Sequence, residues 1–486
     1  MNELASRADR LDAEDPLGAF RKRFHIPPAS GGEPSIYFCG NSLGLQPREA
    51  TSAVEGLLED WQRYGVAGHT RGQHPWIPYQ EQFAEPLAVL TGARPSEVVC
   101  MNTLTVNLHL MMVSFYRPRS HRYRLLIENP AFPSDRYAVE SQVRFHGLDP
   151  ADALIEIGPR NGESVIRTED VLEILDSRGE SIALVMLPGI QYYSGQRFDM
   201  PAITTAARAR GCRVGWDLAH AIGNVPLALH DWDADFAVWC SYKYLNGGPG
   251  AVAGCFVHER HGQDPDLPRF AGWWGHEKAT RFRMDPGFRP RPGAEGWQLS
   301  NPPIFSMAPL VPALQIFMEA GMDRLAAKSA RLTGWLEELI RTRLGHRKFM
   351  HVGYGEFTGD TVSWNDKYVA TSKDGGGSWA EAEDKAAYGD LPRPGPTTKC
   401  ANNVPKAGQS CRVALETTTP ESFPAARMFD FQGEFGVLGG LNGLVNCAGI
   451  VRGIQTGYLY HYAFSMIIGL LLLLFWFVFM VPGAGA

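Results

Sequence analysis

Two short segments carry the residues best suited to covalent chemistry, GWDLAH (215–220) and VWCSYKYLNGGPG (238–250). Each begins as an apolar strand and breaks into polar and glycine residues at its carboxyl end. In α/β sheets ligands gather at that end of the strands. Asp217 and Lys243, 243 − 217 = 26 positions apart, are therefore expected on one rim. A lysine amine can hold a carbonyl group as a Schiff base and, once released, shuttle protons. A carboxylate can keep a pyridine nitrogen protonated, so that the ring absorbs the electrons of a carbanion. Taken singly these residues have blander readings. An Asp and a Lys at strand ends form a surface salt bridge, His220 is a packed core histidine, and GGPG (247–250) is any tight turn. Their combination is what points to pyridoxal 5'-phosphate (PLP).

The elements that must position them follow from hydrophobic patterning. Strands are expected at 98–101, 124–128, 181–187, 212–217, 235–240 and 250–257, with helical patterns between several of them at 49–63, 168–177 and 201–210. Continuous apolar strands alternating with helices predict an α/β fold, a mostly parallel sheet covered on both faces. Residues 307–345 read as helix. From 346 to 425 clusters such as KDGGGSW and LPRPGPTTK leave no sustained period, which reads as a linker. The expected organisation is an N-terminal segment (1–60), a large cofactor-binding domain (61–305), the helical start of a small domain (306–345), a linker or unrelated segment (346–450) and a membrane tail (451–486). That tail rests on residues 462–481, twenty residues with five consecutive leucines and no charge. Such a run is long enough to span a hydrocarbon core of about 30 Å.

Bulk properties exclude several classes. With 46 Lys and Arg against 52 Asp and Glu, the net charge of −6 gives no reason to expect a nucleic-acid partner. The basic run RPRSHRYR (117–124) reads as a solvated loop. The eight cysteines, Cys39, Cys100, Cys212, Cys240, Cys255, Cys400, Cys411 and Cys447, form no CxxC pair. HERH (258–261) lacks the spacing of a helical zinc-protease motif, so no metal is expected there. The charged N-terminus lacks the apolar core of a secretory signal. A reducing cytoplasm fits, with a membrane anchor if the tail is used.

Over residues 15–340 the chain resembles the kynureninases, fold-type I PLP enzymes related to the class V aminotransferases. SYKYLNGGPG is similar to their lysine segment and GWDLAHAIGN to their pyridine-binding segment. IYFCGNSLGLQP (36–47), AGHTRGQHPW (67–76), MNTLTVNLHLMM (101–112), AFPSDRYAVESQ (131–142), LHDWDADF (229–236), GWWGHEKATRF (272–282) and SNPPIF (300–305) match in order. The resemblance implies hydrolysis of L-kynurenine, or 3-hydroxykynurenine, to an anthranilate and L-alanine, within tryptophan catabolism and NAD biosynthesis. It implies that Lys243 carries the cofactor, Tyr242 contacts its phosphate and relays a proton, and Asp217 pairs with the ring nitrogen. His220 and Asp135 would lie beside the ring, Phe132 would stack on it, and Leu104 and Thr105 would hold the phosphate. Tyr193, Asn301 and a partner-delivered Trp273 would complete the cofactor pocket of a homodimer. Ser42, His69 and Asn301 would line the substrate ring.

Two departures matter. Pro188 stands where some relatives place Ser or Thr, which removes a hydroxyl contact worth about 1 kcal/mol. Beyond 340 the family's small domain, with an arginine in an RVAP-type motif that clamps the substrate carboxylate, is not recognisable. Arg412 in CRVALETTTP is only a three-residue echo. The last 40 or so residues faintly resemble a membrane segment of the antiporter-like subunit of respiratory complex I, so the junction near 341–350 reads as a fusion, a frameshift or an assembly error. Two other readings stand beside the main one. Another fold-type I activity would share the Asp–His and Lys segments, although a desulfurase would need a mobile cysteine loop. A membrane-tethered, catalytically impaired PLP protein would bind cofactor without releasing anthranilate.

Overall fold

Short apolar runs whose side chains alternate between two faces build a seven-stranded sheet: β1 (Val98–Cys100), β2 (Arg124–Glu128), β3 (Leu154–Ile157), β4 (Ile182–Pro188), β5 (Arg213–Asp217), β6 (Phe236–Trp239) and β7 (Gly254–Val257). The spatial order is β1-β7-β6-β5-β4-β2-β3. Neighbours from β3 to β6 run parallel, and β7 alone is reversed, pairing antiparallel with β6 and β1. The computed structural model describes residues 2–29, 32–344, 348–358, 361–372, 412–414 and 428–430.

Period-two alternation sends the two sides of each strand into separate cores. In β6, Ala237 and Trp239 enter one cluster while Phe236 and Val238 enter the other. The first core is covered by α1 (Ala50–Tyr64), α4 (Thr168–Arg178), α5 (Met200–Ala209) and α6 (Leu310–Ala320). The second is covered by α2 (Leu104–Phe115) and α3 (Pro133–Phe145). This is the doubly covered sheet that the sequence predicts. Six strands fall where expected. The seventh, β3, escapes notice because the exposed Glu156 interrupts its short apolar run.

The helix expected over 307–345 is broken. Ile304–Met307 is followed by α6 and then by α7 (Met322–Leu344), with Gly321 between them at φ 77°. Only glycine adopts that backbone freely, and it interrupts the i→i−4 ladder. The chain divides into two compact units, Met1–Trp335 and Leu336–Ala486. Within the second unit, Lys348–Thr358 and Thr361–Ser372 form an antiparallel hairpin, inside the stretch read from the sequence as a linker or unrelated segment. Arg412 lies in a short strand paired with Met428–Asp430. The candidate membrane segment 462–481 falls outside the described residues. Among the described residues no single helix is long and apolar enough to cross a membrane.

The amino end of the sheet is held by a buried charge network around Asp235. Its carboxylate accepts hydrogen bonds from Val214 N (2.8 Å), Arg213 (3.0 Å) and Arg260 (2.9 Å), and pairs with His261 Nε2 at 2.6 Å. Burial alone would raise its pKa, but His261, Arg260 and Arg213 outweigh burial and hold it well below the usual carboxylate range. Asp235→Asn is expected to destabilise the fold by about 3 kcal/mol, the low end for breaking a buried ion pair, because the arginines keep some solvent contact. Urea unfolding at neutral pH measures this. A depressed native pKa means that the contribution is complete above the unfolded-state value of about 3.9 and fades as pH falls below it. The difference between the native protein and the variant should therefore shrink only in strong acid.

Candidate active site

Four adjacent parallel strands end together and deliver the site. Glu128 closes β2, Pro188 closes β4 in register with Asp217 at the end of β5, and Cys240 follows β6. Beyond Cys240 the SYKYLN turn carries Tyr242 and Lys243. All of them line a cleft of about 560 Å³, part of it open to solvent. Lys243 Nζ lies 2.8 Å from His220 Nε2, which also faces the Asn41 carbonyl at 3.2 Å. The amine sits 5.7 Å from the centre of the Phe132 ring.

The GNSLG segment seals this lysine turn from the amino-terminal side. Gly44 N donates to Tyr242 O (2.8 Å), and a Cβ on Gly44 would lie 2.3 Å from the Lys243 carbonyl oxygen. Only glycine permits that approach.

Three carboxyl groups converge opposite the amine. Burial, reinforced by the neighbouring Asp217, pushes Glu128 up to about 8. Burial, the charge of Asp217 and a hydrogen bond to it also raise Asp135 well above the carboxylate range. Asp135 Oδ1 has no hydrogen-bond partner, whereas Asp217 Oδ1 accepts the Ala219 N–H at 2.6 Å. Two protonated acids beside one carboxylate leave a single negative charge, centred on Asp217. Burial and the Lys243 charge lower the pKa of His220 and keep its imidazole neutral at physiological pH. Burial pushes Tyr242 up to about 12, so it remains a phenol and a hydrogen-bond donor.

The other end of the cleft suits a dianion. Helices α2 and α3 both begin there, and neither has a side-chain cap on its first amides. Thr105 Oγ1 and Ser134 Oγ, one from each helix start, lie 2.7 Å apart. Helix N-termini with adjacent hydroxyls are a ready phosphate site. A single anionic carboxylate, a buried oxygen without a partner, an amine beside a neutral imidazole and an anion cradle together fit PLP. Its ring nitrogen would face Asp217 and its phosphate would face Thr105 and Ser134.

Of the residues expected from the sequence, Leu104, Thr105, Phe132, Asp135, Asp217, His220, Tyr242 and Lys243 line this cleft together. Ser42, His69, Tyr193, Trp273 and Asn301 do not line it within one chain. His69 packs edge-on against Trp76, and Trp273 lies 41 % exposed with its Nε1 on Arg281 O. Beside Tyr193, it is Tyr192 that reaches the cleft, edge-on to Phe132 with ring centres 5.3 Å apart. Sequence reasoning missed Tyr192, Ser134 and Glu128. Ser134 was signalled by its place just inside a helix start. Glu128 was signalled as the lone acid closing the apolar run RLLI.

The fold and this site define a PLP-dependent enzyme of the class-V aminotransferase family, which matches residues 90–356. Solved structures report the same fold. A C-DES mutant with glycine covalently linked to its PLP cofactor has a TM-score of 0.56 at 17 % identity, over 68 % of this chain and 82 % of that one. The cysteine desulfurase of Thermococcus onnurineus NA1 has a TM-score of 0.52 at 16 % identity, over 74 % and 82 %. Sequence relatives are far more similar. The kynureninase of Myxococcus xanthus is 60 % identical over 335 residues, 69 % of this chain and 79 % of that protein. That of Koribacter versatilis is 58 % identical over 68 % and 78 %. The chain belongs to the kynureninase family.

The charge arrangement separates the acids. Glu128→Gln, which mimics the neutral form, is expected to leave PLP affinity within about threefold at pH 7. Asp217→Asn should lower it on the order of 100-fold, the loss of one side of a buried ion pair. Cofactor titration followed by absorbance measures both.

Proposed function

We infer that this chain hydrolyses L-kynurenine to anthranilate and L-alanine, with 3-hydroxykynurenine as an alternative substrate, using PLP carried by Lys243. The observation that carries the reading is Lys243 beside a neutral His220, facing the Asp217–Asp135 pair in one cleft. Bound PLP supplies an aldehyde for the substrate amine and an electron sink for the carbon–carbon cleavage.

The chain's own groups do the rest. Asp217 holds a proton on the pyridine nitrogen, and protonated Asp135 keeps that charge single. Lys243 Nζ moves a proton at the substrate α-carbon. His220 Nε2, 2.8 Å away, receives the amine's proton while the Asn41 carbonyl accepts the resulting N–H. Tyr242 stays protonated and donates toward the phosphate end. Phe132 and Tyr192 wall the ring's surroundings and keep water from that side. Thr105 and Ser134 fix the phosphate and hence the ring's orientation.

The functional unit we propose is a homodimer in a reducing compartment. Trp273 lies outside the cleft of its own chain, and Ile36 and Phe38 are 85 % and 87 % exposed, an apolar surface that a second copy would cover. Cys39, Cys100, Cys212, Cys240 and Cys255 are all free thiols.

Lys243→Arg is the direct test. It should abolish the visible absorbance of the lysine-bound cofactor and lower anthranilate release, followed by fluorescence, on the order of 10³-fold or more. Persistence of either signal overturns the assignment. The pH profile provides a second check. His220 acts in its neutral form and its pKa is lowered, so the acid limb of kcat/KM should lie below the ordinary histidine value of about 6.5. His220→Gln should remove that limb.

A further inference from the structure

The LHDWDADF and HERH segments contribute nothing to the PLP cleft, yet the fold brings one residue of each to the same buried acid. Glu97 immediately precedes β1, His258 immediately follows the reversed strand β7, and His230 lies in the segment leading to β6. All three therefore sit at the end of the sheet opposite Lys243. We propose that Glu97, His230 and His258 bind one divalent transition-metal ion, with zinc the expected occupant.

The ligand atoms lie within 4.8 Å of one another. His230 Nδ1 is 2.9 Å from Glu97 Oε1, and His258 Nδ1 is 3.6 Å from the same oxygen. Tetrahedral zinc with bonds of 2.0–2.2 Å separates its ligand atoms by about 3.3 Å, and the two observed distances straddle that value. Both Nδ1 atoms lie near the same Glu97 oxygen, and the two rings stack with centres 4.8 Å apart and planes 22° apart.

Outer contacts fix each ligand as metal sites require. Glu97 is fully buried, and its two oxygens accept the backbone N–H groups of Glu259 (2.7 Å) and Arg94 (2.8 Å). The Nε2 of His258 lies 3.3 Å from Asp233 Oδ1, while its Nδ1 accepts the Arg260 N–H at 3.3 Å. That pattern places the proton on Nε2, and a metal would take the Nδ1 lone pair by displacing the long Arg260 N–H contact. His230 Nδ1 lies 2.9 and 3.1 Å from the two Glu97 oxygens, and the tautomer with its proton on Nε2 would present Nδ1 to a metal. Two imidazoles and one carboxylate suit zinc, cobalt, nickel or copper and disfavour magnesium and calcium, which prefer oxygen. His230 keeps 21 % of its side chain exposed, which provides an entry path and room for a water as fourth ligand. Local spacing in HERH gives no hint of this, because the ligands come from segments 133 and 28 positions apart.

The test uses the full-length, PLP-loaded protein, stripped with a chelator and dialysed. Co²⁺ serves as the spectroscopic probe, and Zn²⁺ is titrated by calorimetry. One saturable Co²⁺ equivalent per chain is expected, with a d–d band to the red of the cofactor absorbance and displaced by Zn²⁺. His230→Ala and His258→Ala should each lose the band. Asp233→Asn, which releases the His258 ring, should weaken Zn²⁺ by roughly 10–100-fold. Kynurenine cleavage by His230→Ala should match the parent. Should either histidine variant fail to fold by circular dichroism, Glu97→Gln, which keeps the side chain's size and one acceptor oxygen, carries the test by the same band. Absence of saturable one-to-one binding, or binding that survives these substitutions, overturns the proposal and leaves a hydrogen-bonded cluster only.

Discussion

Three acids buried at the carboxyl ends of parallel strands are the constraint on which this molecule turns. Carboxylates in a low-dielectric cleft repel one another, so most of them must take up protons or find a cation. Glu128 and Asp135 take up protons. Asp217 instead meets a backbone N–H and the field of a lysine across the cleft. The outcome is a pocket whose charge is matched to one protonated pyridine nitrogen. The doubly covered sheet makes this possible, since its strands end in register and both faces are closed by helices. The same helices aim two amino termini at the far end of the cleft, where a phosphate's charge is welcome. Opposite charges are thus accommodated a ring's length apart without any exposed salt bridge.

The two ends of the sheet have separate work. At the carboxyl end, Asp135 Oδ1 is buried without a hydrogen-bond partner, as suits a surface built to receive a ligand. At the amino end, Asp235 is saturated by Arg213, Arg260, His261 and a backbone amide, while Glu97 accepts two amides and faces His230.

Much of the fold was legible because short, continuously apolar strands stand out against polar turns. β3 was not, its apolar run being interrupted by the exposed Glu156, and the break at Gly321 was hidden inside an otherwise continuous apolar pattern. The cleft was legible where strands end in informative residues, as at Asp217 and Lys243. It was less so where position depends on helix starts, as at Ser134, or on burial, as at Glu128, whose role comes from its neighbours rather than its own motif. Trp273, Asn301, Ser42 and His69 carry motif signals, but their distance from the cleft in one chain reflects geometry that spacing along a sequence does not encode. The cluster around Glu97 is the extreme case, since its members become neighbours only after three strands pair.

The contact of Gly44 with the Lys243 turn has a consequence for biosynthesis. The amino-terminal strap leaves the ribosome some two hundred residues before the loop on which it rests. It must wait, undocked, until β4, β5 and β6 have paired, because closing so long a loop earlier would cost entropy with nothing to offset it. The catalytic amine is then enclosed only once the loop after β6 has formed. Capture of the vitamin is thereby tied to completion of the domain, and a nascent or half-assembled chain has no finished pocket in which to trap a reactive aldehyde.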